Sequence, residues 1–263
     1  MKWVGRFAVG AGFAGVSLSS GNNAFGAHGE QQSKAPDLPW PYKKLDPAAV
    51  AEAAYLGYQK GACSYGVFEA IVGPLRKEIG FPYTTMPSAM MVVGQGGMAD
   101  TASLCGALNG AASAMFLVTG GMDRKLRERS YSVIQDVFHW YEQTALPDYQ
   151  PKNPKFEIAR SISGSSLCHV SIAKWCKAAE RKSFSKERSE RCAWLTAAVA
   201  RRTAEALNAH ADGGFKKAHP LPVSAQKCRG CHDKDSELEN MRSVTDCAGC
   251  HFAPSAKKEH PDL

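Results

Sequence analysis

Two pentapeptides near the C-terminus carry the clearest chemistry in this chain: Cys228-Arg229-Gly230-Cys231-His232 and Cys247-Ala248-Gly249-Cys250-His251. Two thiols separated by two residues can form thioethers to the two vinyl groups of one haem. The imidazole that follows then reaches the iron as proximal ligand. C-x-x-C-H is therefore the attachment sequence of a c-type haem. Its occurrence twice predicts two covalent haems, held by Cys228, Cys231, Cys247 and Cys250, with His232 and His251 on the irons. The same cysteines have the C-x2-C-x15-C-x2-C spacing of a zinc ribbon. Zinc does not require a histidine after both pairs, so haem is preferred and a zinc-stabilised binding module is the alternative.

Each iron has a sixth position to fill or leave open. Six other histidines are available: His28, His139, His169, His210, His219 and His260. His219 is the first choice as distal ligand, because it precedes the first motif closely in AHPLPVSAQKC. His169 follows, from a cysteine-rich segment, and then His210, at the end of the last long helix. Met241 would also ligate and would raise the potential. With both positions filled, the haems pass single electrons. An open position would suit a multicentre haem reductase.

Five further cysteines precede the motifs: Cys63, Cys105, Cys168, Cys176 and Cys192. Buried cysteines often serve as small hydrophobes, and an exported protein also forms disulfides. A third use is an iron–sulfur cluster on four thiolates. Cys168 and Cys176 are eight residues apart, about two helical turns, and share a side. With Cys105 and Cys192 from other helices they form the candidate ligand set.

The elements that must hold these groups are helical. Asp46-Pro47 reads as a cap and first-turn proline, opening one long helix to about Gly80 or two joined near Gly61 to Gly66. Residues 81–99 read as a loop. Further helices are expected from Asp100 or Thr101 to Thr119, Arg124 to Leu146, Ser165 to Arg181 and Lys186 to His210. In the last, Leu195, Val199 and Leu207 face inward, with Arg201, Arg202 and Glu205 mostly exposed. Strand alternation is absent, so the fold class is all-α: a helical bundle over 27–210 and a small irregular segment over 211–263. That segment is rich in Gly, Pro, Lys and His and poor in large apolar residues, so a cofactor must supply its core.

The N-terminus reads as a signal peptide over 1–26. Lys2 and Arg6 precede the apolar run Phe7 to Leu18, and Ala24 and Gly26 suit the cleavage site. The run falls short of the roughly 20 residues that span a bilayer. Export to the periplasm is expected, with no stable membrane insertion after cleavage. A net charge of +7 without an arginine-rich run argues against nucleic acid as partner. Lys216, Lys217, Lys227, Lys257 and Lys258 would guide an acidic redox partner.

The chain resembles the split-Soret cytochromes c. The resemblance rests on the two C-x-x-C-H motifs in the tail and on CGALNGA (105–111), LCHVSIAKWC (167–176) and RCAWLTAAVA (191–200) before them. The helical part is also similar to a redox-active family with a C-G-C-x-x-G-like pattern and two later separated cysteines. Here Cys105-Gly106 is present, and Ala107 stands at the next cysteine position. The resemblance implies a homodimer, two closely stacked bis-histidine haems per subunit with a distal histidine from either subunit, and an iron–sulfur cluster in the helical part.

Overall fold

Asp46 accepts the Ala48 N–H at 2.9 Å and Pro47 sets the first turn, so α1 (Pro47–Ile79) begins where its sequence places it. Five more helices follow: α2 (Gly106–Thr119), α3 (Arg124–Gln143), α4 (Cys168–Ala179), α5 (Lys186–Ala211) and α6 (Val223–His232). The computed structural model describes residues 34–242 together with 244, 245 and 247. The expected leader and the Cys250-His251 pair lie outside the described residues. Among those described there is no strand, only the isolated bridges Leu104–Leu167 and Leu146–Ser161. The all-α class holds.

Helix α1 is broken at Gly61 and Ala62, where Ala62 takes φ 62°. The break turns the chain sharply enough that a Cβ on Gly57 would lie 3.0 Å from Gly66 Cα. A Cβ on Gly66 would meet Thr196 Cγ2 at 2.8 Å, Ala54 O at 2.9 Å and Tyr58 N at 3.0 Å. Two of those atoms are backbone, which cannot swing aside. Gly66→Ala is therefore expected to destabilise by about 1–3 kcal/mol, read as a lower denaturant midpoint at unchanged slope.

Helix α5 packs along α1 through buried alanines, among them Ala197, Ala198 and Ala204. Small side chains let the helix backbones approach closely. Phe68, Ile71, Leu108, Met115 and Leu207 fill the middle. The lead-in is strapped down: Trp40 N–H donates to Leu117 O at 2.8 Å, and Asn208 pairs with both Leu45 N and Leu45 O.

Several features differ from expectation. Helix α2 starts at Gly106, not near Asp100. Gly96, Gly97, Met98, Ala99 and Asp100 all take positive φ, 50° to 76°, and this left-handed run cannot enter a right-handed helix. Arg201 and Arg202 are half-buried because Asp148 and Asp136 ion-pair with them. The tail contains a helix, α6, whose last turns carry Cys228, Cys231 and His232.

Candidate functional site

The bridge Leu104–Leu167 sets the geometry of the cysteines. Cys105 N–H donates to Ser166 O at 2.9 Å, and Cys168 N–H to Ser103 O at 2.6 Å. The two cysteines thus leave the bridge on adjoining strands of chain. Cys105 caps α2 and Cys168 opens α4, so each stands at the positive end of a helix. Cys192 approaches from α5. Cys63 approaches from just past the break in α1, where a Cβ on Gly106 would lie 2.3 Å from its Sγ. Only a glycine leaves that sulfur its place.

Cys63 interacts electrostatically with Cys105, Cys168 and Cys192. Cys176 interacts only with Cys192 among the thiols and lies nearer the surface. The structure therefore places Cys63 among Cys105, Cys168 and Cys192, while Cys176 of the expected set stands two turns further along α4.

Burial pushes the thiols of Cys63 and Cys105 up, and that of Cys168 up to about 12, with neighbouring thiols adding to the rise for Cys63 and Cys168. Opposing this are donors aimed at sulfur: the Gly96 N–H at Cys63, and the Tyr141 hydroxyl and Ala107 N–H at Cys105. Buried Arg191 stands against Cys192, with Nη1 4.0 Å from Sγ. Soft sulfur donors from four segments suit an iron centre on thiolates, and a bound metal would offset the burial that raises these thiols. Among the described residues, no three His, Cys, Asp or Glu side chains lie close enough together for a single metal ion. A sulfide-bridged centre is wider than one ion and takes its thiolates further apart.

The second site lies in the tail. Cys228 and Cys231 are three residues apart on α6 and share a face. His232 follows directly, and its Nδ1 is 2.7 Å from Asn240 Oδ1, which orients the ring. Cys247 Sγ lies 4.0 Å from Met241 Sδ. From Gly213 to Cys247, Ala225 is the one buried side chain among the described residues, while Val223, Leu238 and Val244 are exposed. The described part of the segment has no core of its own, and a flat apolar group against α6 would give it one.

Of the three distal candidates, His219 is held as a ligand should be. Its ring Nδ1 lies 3.3 Å from both Asp136 oxygens, and its backbone N–H donates to Asp136 Oδ1 at 2.7 Å. The carboxylate orients the ring through Nδ1, and Arg202 Nη2 lies 3.4 Å from the same nitrogen. His169 is exposed at the cysteine end, with Nδ1 3.0 Å from Ala102 O. His210 is partly buried on α5, and burial and Arg129 hold it below the ordinary histidine range. Neither has a carboxylate on its ring.

Sequence reasoning passed over three further residues. Asp136 is fully buried and takes Arg202 Nη2, Ala218 N–H and His219 N–H, each at 2.7 Å. Buried His139 faces His219 O with Nδ1 (3.0 Å) and Val244 O with Nε2 (2.6 Å). Arg191 is the third. Asp136 and His139, three apart on α3, mark one face, but nothing in that spacing says what it grips.

Residues 62–206 match a family model described as "Putative redox-active protein (C_GCAxxG_C_C)". The match spans all five helical cysteines and stops before the haem motifs. Its signature opens with a separate cysteine, and Cys63 is the first in the matched stretch. This corrects the expected C-G-C-x-x-G reading: Ala107 is the signature's alanine and not a lost cysteine, so the A-x-x-G end of Cys105–Gly110 is kept while the cysteine and glycine before it are interchanged. Gly106 thus stands where Cys63 Sγ needs room. The chain is also 36% identical to the split-Soret cytochrome c of Desulfovibrio desulfuricans, over 96% of this chain and 93% of that protein. A solved structure of split-Soret cytochrome c from that organism, described as containing a novel iron centre, superposes with a TM-score of 0.76, covering 82% of this chain and 92% of the other.

Proposed function

Because the chain belongs to the split-Soret cytochrome c family, we propose that it is an exported dihaem c-type cytochrome that carries electrons, with an iron centre held by Cys63, Cys105, Cys168 and Cys192. The observation that carries this reading is the arrangement on α6: Cys228 and Cys231 on one face, His232 oriented by Asn240, and a segment without a core around them. Bound haem supplies one-electron exchange at iron, with no bond made or broken.

The chain's own residues do the positioning. Cys228 and Cys231 anchor one group covalently, and Cys247 with Cys250 anchors the second. His219, steadied by Asp136 and Arg202, fills a sixth position. A filled position keeps small substrates off the iron, which favours electron transfer over reduction of a bound molecule. The leader over 1–26, delivery to the periplasm, a homodimer and an acidic redox partner complete the proposal.

The test is the visible spectrum of the mature protein from a host that matures c-type cytochromes. A low-spin c-type α band on reduction and a split Soret band are expected, with two haems per chain. A high-spin spectrum would overturn the bis-histidine assignment. Absence of covalent haem, with maturation verified on a control cytochrome, would overturn the haem assignment. Cys231→Ala should lower covalent retention at the first motif, read by intact mass after denaturation, while the second motif keeps its haem.

A further inference from the structure

We propose that Arg191 is the fixed positive charge that sets the reduction potential of the iron centre on Cys63, Cys105, Cys168 and Cys192. The inference rests on the centre assigned above.

Arg191 is 2% exposed, among the most deeply buried large side chains of the protein. Its Nη2 donates to Ser171 Oγ at 2.8 Å, Nη1 lies 4.0 Å from Cys192 Sγ, and Nε has no hydrogen-bond partner among the described residues. Among the described residues it forms no ion pair with a carboxylate. A buried guanidinium without a counter-ion is costly, and it cannot shed its charge by losing a proton. The groups in its field that can become anions are Cys192, Cys105 and Tyr141. Iron makes anions of the cysteines, because thiolates on a metal are deprotonated outright. The centre then supplies the negative charge that Arg191 lacks.

The direction of the effect follows from charge. The centre accepts one electron, no bond forms or breaks, and its net charge falls by one. Arg191 attracts the reduced state more strongly than the oxidised one, so it raises the potential. The low dielectric around it leaves this attraction weakly screened. Arg188, the other cation in the field of Cys192 and Cys168, is partly exposed, so water screens it more.

The test is a redox titration of the non-haem iron signal in the holoprotein. Arg191→Gln should shift the reduction equilibrium at least tenfold toward the oxidised state, about 59 mV for one electron. Arg191→Lys should stay close to wild type, and Arg188→Gln should shift less than Arg191→Gln. An unchanged potential in an iron-loaded Gln variant would overturn the role of Arg191. Should the Gln variant fail to load iron, loading by the Lys variant supports the charge. Failure of both variants to load overturns it in favour of a purely steric role. Wild-type protein without non-haem iron would instead overturn the centre itself, a separate outcome.

Discussion

Asp136→Ala should lower the unfolding free energy by about 3–5 kcal/mol, the range for breaking a buried ion pair by removing one partner. The substitution leaves Arg202 without its acceptor and strips the Ala218 and His219 N–H groups of theirs. Burial alone would raise the Asp136 carboxyl, yet it lies below its ordinary value. The His219 N–H, the His219 ring, the Ala218 N–H and Arg202 together outweigh the desolvation. That balance is why the carboxylate is bound so firmly where it is. The same change frees the His219 ring to turn. A high-spin fraction should therefore appear in the visible spectrum alongside the lower denaturant midpoint. Unchanged stability with an unchanged low-spin spectrum would show that Asp136 holds neither the tail nor the ligand.

Cys63→Ser should remove most of the non-haem iron, whereas Cys176→Ser should leave it. Cys63 shares its surroundings with Cys105, Cys168 and Cys192, and Gly106 is shaped around its sulfur. Cys176 interacts with one of the four and with two arginines. A serine oxygen is a poor substitute for a thiolate on iron, and it adds no bulk to the crowded contact with Gly106. Iron and sulfide content per chain, measured against haem content, decides the matter. Equal loss in both variants would return Cys176 to the ligand set.

The helical class and the C-x-x-C-H motifs were legible because each depends on local pattern. Periodic apolar residues mark α3 and α5, and Asp46-Pro47 marks the start of α1. The membership of the cysteine centre was not legible, because it depends on where four distant segments meet. Cys168 and Cys176 looked paired by helical spacing, yet only the first residue of α4 points into the centre. Cys63 was hidden by the break at Gly61–Ala62, which redirects the chain just before it. Arg202 reads as an exposed charge on its helix, and Asp136 carries no signal of its own. Their burial comes from the tail lying across them, a contact that no local pattern records.

Helices α3 and α5 each touch both sites. On α5, Cys192 and Arg202 are ten residues apart, about 15 Å of axial rise. On α3, Tyr141 reaches Cys105 and Asp136 grips His219, five residues and about 7.5 Å apart along the axis. Tunnelling rates fall exponentially with distance, so these two rods act as rulers. In the proposed electron carrier they would set, in units of helical rise, the gap between the cysteine cluster and the tail. Adding one residue between Cys192 and Arg202 would lengthen that gap by only about 1.5 Å, but would swing Arg202 about 100° around the helix. The spacing of the two sites is thus tied to the pitch of the backbone, so a change of length along either helix also changes which way its residues face.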